Sequence, residues 1–168
     1  VGKTADYWIE KLRLIEHPEG GYFRETYRSE ESIALEHLPD RYKVSHSFST
    51  AIYYLLKGDQ VSSLHRLESD ELWNFYIGSS LTLHVITIAG EYSHLKLGTD
   101  PENGEIFQAV THAGSWFGAT VDDKSSFTLV GCSVAPGFDF SDFKLASRAD
   151  LVKQFPEHSA IIKELTKD

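Results

Sequence analysis

The chain has 168 residues, 41% hydrophobic and 12% aromatic, enough apolar material for one continuous core and too much for a disordered chain. Its 16 Lys and Arg against 25 Asp and Glu leave a net charge of −9. That excess of acid argues against nucleic acid or an anionic membrane as a partner, since both require a basic footprint.

Taken in chain order, the pattern opens with a helix over about residues 4–14. Thr4 is placed to cap it, Asp6 suits its first turn, and Ala5, Trp8, Ile9 and Leu12 recur at helical spacing. After "EHPEGG" the period drops to two. In "YFRETYR", alternation puts Tyr22, Arg24, Thr26 and Arg28 on one face and Phe23, Glu25 and Tyr27 on the other. Residues 29–46 are polar and weakly patterned, which predicts a long surface connection with His37 and His46 solvated.

From Ser47 to Ala135 come eight β-rich runs, from "FSTAIYYLL" through "VSSLHRL" and "ELWNFYI" to "FTLVGCSVA", separated by turn signals such as Lys57-Gly58-Asp59 and Gly78-Ser79-Ser80. Many short strands at near-regular spacing predict a sandwich or barrel. Asn103-Gly104 predicts a type I′ hairpin. Cys132, the sole cysteine, alternates with Val130 and Val134 and reads as a small core residue, leaving no disulfide framework. Ser147-x-x-Asp150 resembles a capping box ahead of Leu151, Val152 and Phe155, and Pro156 breaks that run. Ile161, Ile162 and Leu165 then close the chain, giving helix over about 148–166. With no repeat and no linker, a single domain over 1–168 is expected, its barrel spanning about 20–146. No apolar run reaches membrane-spanning length and no signal-peptide pattern is visible, so the expected location is cytoplasmic.

The segment "LHRLESDELWNFYIG" carries the chemistry. His65 and Leu67 share a face of one strand; Glu71, Trp73 and Phe75 share a face of the next. If the hairpin closes between Glu68 and Asp70, His65 and Glu71 can approach one another across neighbouring strands on the apolar, inward side. Burying both is costly unless they pair or contact a ligand.

The spacing G-x6-H-x-L-x3-E-x6-G, from Gly58 through His65, Leu67 and Glu71 to Gly78, resembles the first motif of the cupin superfamily. "HPEGGYFRETYRS", "STAIYYLL", "SLHRLESDELWNFYIG", "GSWFGA" and "VGCSVAPGFDFSDFKLA" are similar to a family of small cupins grouped as a domain of unknown function. The resemblance implies an all-β fold, the double-stranded β-helix or jelly-roll barrel, with short N- and C-terminal α-helices. It implies no particular reaction. Leu67 and Phe117 stand where metal-binding cupins carry histidines, so no metal cofactor is expected; any metal would fall to His65 and Glu71. His84 and His112 read as satisfied or surface histidines.

Metal-free sugar-nucleotide epimerases of the same superfamily use a histidine supported by a carboxylate as base and a tyrosine as acid. By that resemblance His65 and Glu71 are the candidate catalytic pair, and Tyr53, Tyr54 and Tyr76 the candidate acids. Arg24 offers a fork suited to an anion, and Glu19 an acceptor for sugar hydroxyls; the two read equally well as a structural pair. Trp73 and Trp116 are candidate pocket walls, or core.

The expected ligand is a small polar or anionic, sugar- or nucleotide-like molecule. The leading reading is a metal-independent isomerase or epimerase. A metal-dependent cupin enzyme and a non-catalytic metabolite-binding module are the alternatives. Proteins of this architecture commonly pair through edge strands, so a homodimer is expected. Nucleophile-elbow, P-loop and H-E-x-x-H patterns are missing from the sequence.

Overall fold

In the computed structural model, which describes residues 2–167, Thr4 opens the first helix by accepting from the Tyr7 N–H at 3.2 Å. Residues 1 and 168 of the expected domain span lie outside the described residues. Helix α1 covers Ala5–Leu12. Strands β1 (Ile15–Glu16) and β2 (Tyr22–Arg28) come next, then the short β3 (Ser32–Ile33) and β4 (His46–Ser47). The long runs become β5 (Thr50–Lys57), β6 (Val61–Arg66), β7 (Asp70–Gly78), β8 (Leu81–Ile86), β9 (Tyr92–Leu97), β10 (Gln108–Thr111), β11 (Trp116–Val121) and β12 (Phe127–Ala135). After β13 (Lys144–Leu145) come α2 (Arg148–Gln154) and α3 (Ser159–Glu164). Ser147 Oγ caps α2 by accepting from Asp150 N at 3.4 Å, as its spacing foretold.

The strands form a six-stranded sheet in the order β1-β2-β5-β12-β7-β10 and a five-stranded sheet in the order β13-β6-β11-β8-β9, antiparallel at every paired neighbour. This is a mostly-β jelly-roll with short helices at its ends. The sheets enclose a core of Tyr54, Leu56, Trp73, Leu83, Phe117 and Val130. Helix α1 covers the outside of the six-stranded sheet over Leu55 and Leu129. The two C-terminal helices cover the outside of the other sheet, where Leu151, Phe155, Ile162 and Leu165 pack on Leu64, Ile86 and Trp116. No helix among the described residues is long and apolar enough to cross a membrane.

Three sequence expectations change. β6 and β7 do not form a hairpin within one sheet, because the chain crosses from one sheet to the other over Leu67–Ser69. Asn103-Gly104 closes a 3-10 turn over Pro101–Asn103, with Gly104 in the left-handed region. β9 and β10 then join different sheets. Finally, residues 29–46 are a connection that includes a small β3–β4 ribbon, and His46 is buried instead of solvated. Its Nδ1 meets the Gly137 carbonyl at 2.6 Å and its Nε2 meets Asp142 Oδ2 at 3.1 Å.

Candidate functional site in the barrel cavity

One end of the barrel holds a cavity of about 170 Å³, far more than the roughly 10–15 Å³ that a single water needs. The turn between β1 and β2 supplies its first polar wall. Gly20 and Gly21 both take positive φ, 114° and 71°, and a Cβ on Gly20 would run into the Val61 carbonyl oxygen. Only glycine allows a turn this tight against β6. The turn delivers Glu19 and His17 to the cavity.

Glu19 is the hub. Its Oε2 lies 3.1 Å from His65 Nε2 and 3.4 Å from His17 Nδ1, and its Oε1 accepts from Ser62 Oγ at 2.8 Å. His65 Nδ1 faces the Ser63 carbonyl at 2.7 Å. A carbonyl only accepts, so Nδ1 carries a proton. One further proton must then lie between Nε2 and Glu19 Oε2, as imidazolium with carboxylate or imidazole with carboxylic acid. The pair therefore stores a movable proton. His17 Nδ1 accepts from Glu19 N at 3.3 Å, which leaves the His17 ring proton on Nε2. Burial lowers the His17 pKa, against the raising charge of Glu19 and with a smaller lowering from His65, so this ring stays neutral near pH 7.

Ser62 and His65 are three residues apart, a spacing that strict alternation would send to opposite faces. The β6–β11 register explains their shared face. Phe117 pairs with His65 but Ala119 pairs with Ser62, so Ser63 and Leu64 together oppose Gly118 in a β-bulge. A second bulge in β2 does the same for a cation. Glu25 pairs with Ile52 and Tyr27 with Ala51, leaving Thr26 extra. Phe23, Glu25 and Arg28 consequently face the cavity together. Arg28 holds Glu25 in a fork, Nε to Oε1 at 3.0 Å and Nη2 to Oε2 at 2.8 Å, and donates to the Phe138 carbonyl at 3.0 Å.

The segment after β12 closes the aromatic side. Phe138, Phe140 and Phe143 line the cavity with Phe23 and His17; His17 and Phe23 pack edge to face at 4.6 Å. The floor is Glu71, Trp73, Cys132 and Tyr54. Tyr54 donates to the Gly20 carbonyl at 2.9 Å, and burial first, then the Glu19 charge, push its phenol well up, so it keeps its proton. Burial and, after it, the charge of Glu19 push Glu71 up to about 8, against weaker lowering by Trp73 and Cys132. Burial likewise pushes up the Cys132 thiol.

The sequence profile of the Cupin superfamily (DUF985) matches residues 6–146. The chain belongs to that family. This cupin is 31% identical over 163 residues to the uncharacterized protein YML079W of Saccharomyces cerevisiae, covering 90% of this chain and 81% of that one. Protein SO0799 from Shewanella oneidensis superposes with a TM-score of 0.89 at 38% identity, and a hypothetical protein from Leishmania major with 0.90 at 35%. Each covers 99% of this chain and is itself covered over 99% or 100% of its length. Oxalate decarboxylase from Bacillus subtilis superposes with a TM-score of 0.54 at 14% identity, covering 89% of this cupin and 36% of the decarboxylase, a likeness of fold.

The donor set of this cupin does not fit a metal. His65 and Glu71 line the cavity, but so does Leu67, and Phe117 packs its ring 4.2 Å from the His65 ring. Neither Leu67 nor Phe117 has a donor for a cation. The Nε2 of His65 is engaged by Glu19, and among the described residues no group of three or more His, Cys, Asp or Glu side chains is arranged to hold an ion.

The sequence candidates separate accordingly. His65, Glu71, Glu19 and Trp73 line the cavity. His65 pairs with Glu19, however, and no hydrogen bond or ion pair among the described residues joins it to Glu71. Arg24 precedes the β2 bulge and lies outside, over the Tyr53 ring at 5.8 Å; Arg28 takes the inward place. Tyr53 and Tyr76 are on the same outer face, near α1, their rings 6.1 Å apart, and Tyr54 is the inward tyrosine of β5. Trp116 belongs to the core beneath the C-terminal helices, under the Arg66 guanidinium. His84, held by Tyr92 and Thr120, and His112, beside Asp70, are outside the cavity. His17, Glu25, Arg28 and the Phe138–Phe143 segment escaped the sequence reading. The "HPEGG" turn was the available signal for His17; nothing local announces a bulge at Thr26.

Proposed function

We propose that the cavity binds a small, uncharged, sugar-like hydroxycarbonyl compound and that the His65–Glu19 unit moves a proton at the carbon beside its carbonyl, as a metal-independent isomerase or epimerase does. The observation that carries this reading is the 3.1 Å contact between His65 Nε2 and Glu19 Oε2, a proton-holding pair on the wall of an aromatic-rimmed cavity. Glu19 takes the place beside His65 first expected of Glu71. A histidine locked at Nδ1 by a carbonyl and at Nε2 by a carboxylate orients that carboxylate and shares its proton, which makes Glu19 the group that exchanges a proton with the ligand. His17, neutral with its proton on Nε2, is a hydrogen-bond donor on the same wall. An uncharged ligand suits the mouth, where Arg28 is already bound to Glu25 and where hydrogen bonds from Ser141 hold Asp139 below the usual carboxylate range. The chain is further proposed to pair as a homodimer through β10, one end of the six-stranded sheet.

The test is incubation with a panel of ketoses and aldoses in deuterium oxide, read by proton NMR for deuterium at carbon. The wild type is expected to exchange at least one compound. His65→Ala and Glu19→Gln are expected to lose about 10²–10⁴-fold of that rate with unchanged circular dichroism. Exchange undiminished in His65→Ala would refute the proposal, and ligands that bind without exchange would leave a binding module.

A further inference from the structure

Glu71 and Trp73 are left over by the acid–base pair, and both are polar, deeply buried and on the cavity floor. Trp73 is 1% exposed and Glu71 7%. Neither Trp73 Nε1 nor Glu71 Oε2 makes a well-aligned hydrogen bond among the described residues, although Trp73 and Cys132 lie close enough to Glu71 to favour its charged form weakly. Buried polar atoms left unpaired cost about 1–3 kcal/mol each, and proteins rarely leave two side by side without use. Residues 71 and 73 point the same way along β7, opposite Val134 and Cys132 of β12, so the two groups converge on one region of the cavity. The indole N–H can only donate.

We infer that Glu71, as a neutral carboxylic acid, and Trp73, through its indole N–H, together form an oxyanion site that receives the carbonyl oxygen of the ligand. The inference rests on the proton-transfer reading and names its substrate class: a compound whose reacting carbon adjoins a ketone or aldehyde. As the C–H proton passes to a carboxylate oxygen of Glu19, while His65 keeps both its ring protons, the C–H electron pair moves into the carbon–carbon bond and the carbonyl oxygen takes the negative charge. Two donors on the floor stabilise that oxygen, and return of a proton to carbon restores the carbonyl. Neither floor group needs to surrender its proton. A carboxyl in an apolar setting beside a second carboxylate stays protonated at neutral pH, which is the direction found for Glu71.

The probe is 4-nitrophenol, whose planar oxyanion mimics an enolate and whose absorbance reports its ionisation. Saturable binding as the phenolate is expected in the wild type. It should weaken about 10-fold or more in Trp73→Phe and Glu71→Leu and little in Glu71→Gln, whose amide still donates. A second reading independent of folding is the infrared stretch of the protonated carboxyl. It should be absent in Glu71→Gln and shift to lower frequency when 4-nitrophenol fills the wild-type cavity. Equal affinity across all four proteins, or a carboxyl band indifferent to the probe, overturns the inference. Tight phenolate binding without carbon exchange in any carbonyl compound would sink the acid–base reading and leave this site standing. Exchange unchanged in Trp73→Phe and Glu71→Leu would do the reverse.

Discussion

Glu71 carries a stability signature of its own. Its pKa rises from 4.5 to about 8 on folding, so between those values the folded protein holds a proton that the unfolded chain has released. Stability from this group is complete below about pH 4.5 and is lost as pH climbs through about 8, at up to about 1.4 kcal/mol per pH unit. His17, whose pKa falls on burial, acts in the opposite sense below its ordinary value of 6.5, so the clean quantity is a difference. Urea unfolding of wild type and Glu71→Gln across pH 5 to 8 is expected to show the wild type losing ground steadily to the variant. Parallel curves would mean that Glu71 ionises in the fold. At this scale the sequence was partly legible. His65 and Glu71 stood out because a histidine and a carboxylate share inward parity. The true partner, Glu19, is 46 residues from His65, and no local pattern joins a turn to a strand that far away.

At the scale of elements, strand existence and helix caps were legible because period, β-branched content and the Thr4 and Ser147 hydroxyls are local signals. Facing was not. Alternation put Arg24 and Arg28 on one face, whereas one extra residue at Thr26 turns Arg28 into the cavity and leaves Arg24 outside; one more in β6 brings Ser62 beside His65. Bulges gather near active sites for this reason. Gly118, opposite the β6 bulge, offers a direct test. A Cβ there would lie 2.6 Å from the Ser62 carbonyl oxygen, so Gly118→Ala should cost about 1–3 kcal/mol. It should also loosen the Ser62–Glu19 contact and slow exchange. Unaltered urea midpoint and rate would show that the bulge does not shape the site. By contrast, Ile162→Ala in α3, packed on the far side of the same sheet, should cost about 2–5 kcal/mol and leave 4-nitrophenol affinity unchanged. A change in that affinity would show that the helical padding also shapes the cavity.

Over the whole molecule, each sheet has one face on the shared core and the other against terminal helix, so both layers are covered by the chain's own ends. The six-stranded sheet still ends on β10, where Val110 is exposed and the adjoining Phe107 is 61% exposed. Covering an open strand edge is a common reason to dimerise. Light scattering is expected to give twice the 18.9 kDa chain mass, and Phe107→Lys with Val110→Lys to reduce it to one; a wild-type monomer would contradict this. Fold and family were legible because the family-like blocks run from His17 to Ala146, but the metal quartet that the fold often carries is broken by Leu67 and Phe117. The proposed chemistry therefore rests on what replaces it. The most direct measurement is a high-resolution crystal structure of protein purified without chelator or added ligand and soaked with a compound that exchanges deuterium. The account predicts a carbonyl oxygen within hydrogen-bonding distance of Glu71 and Trp73, with the adjacent carbon facing the His65–Glu19 pair. A cation held between His65 and Glu71, or the compound seated outside the barrel, would contradict it.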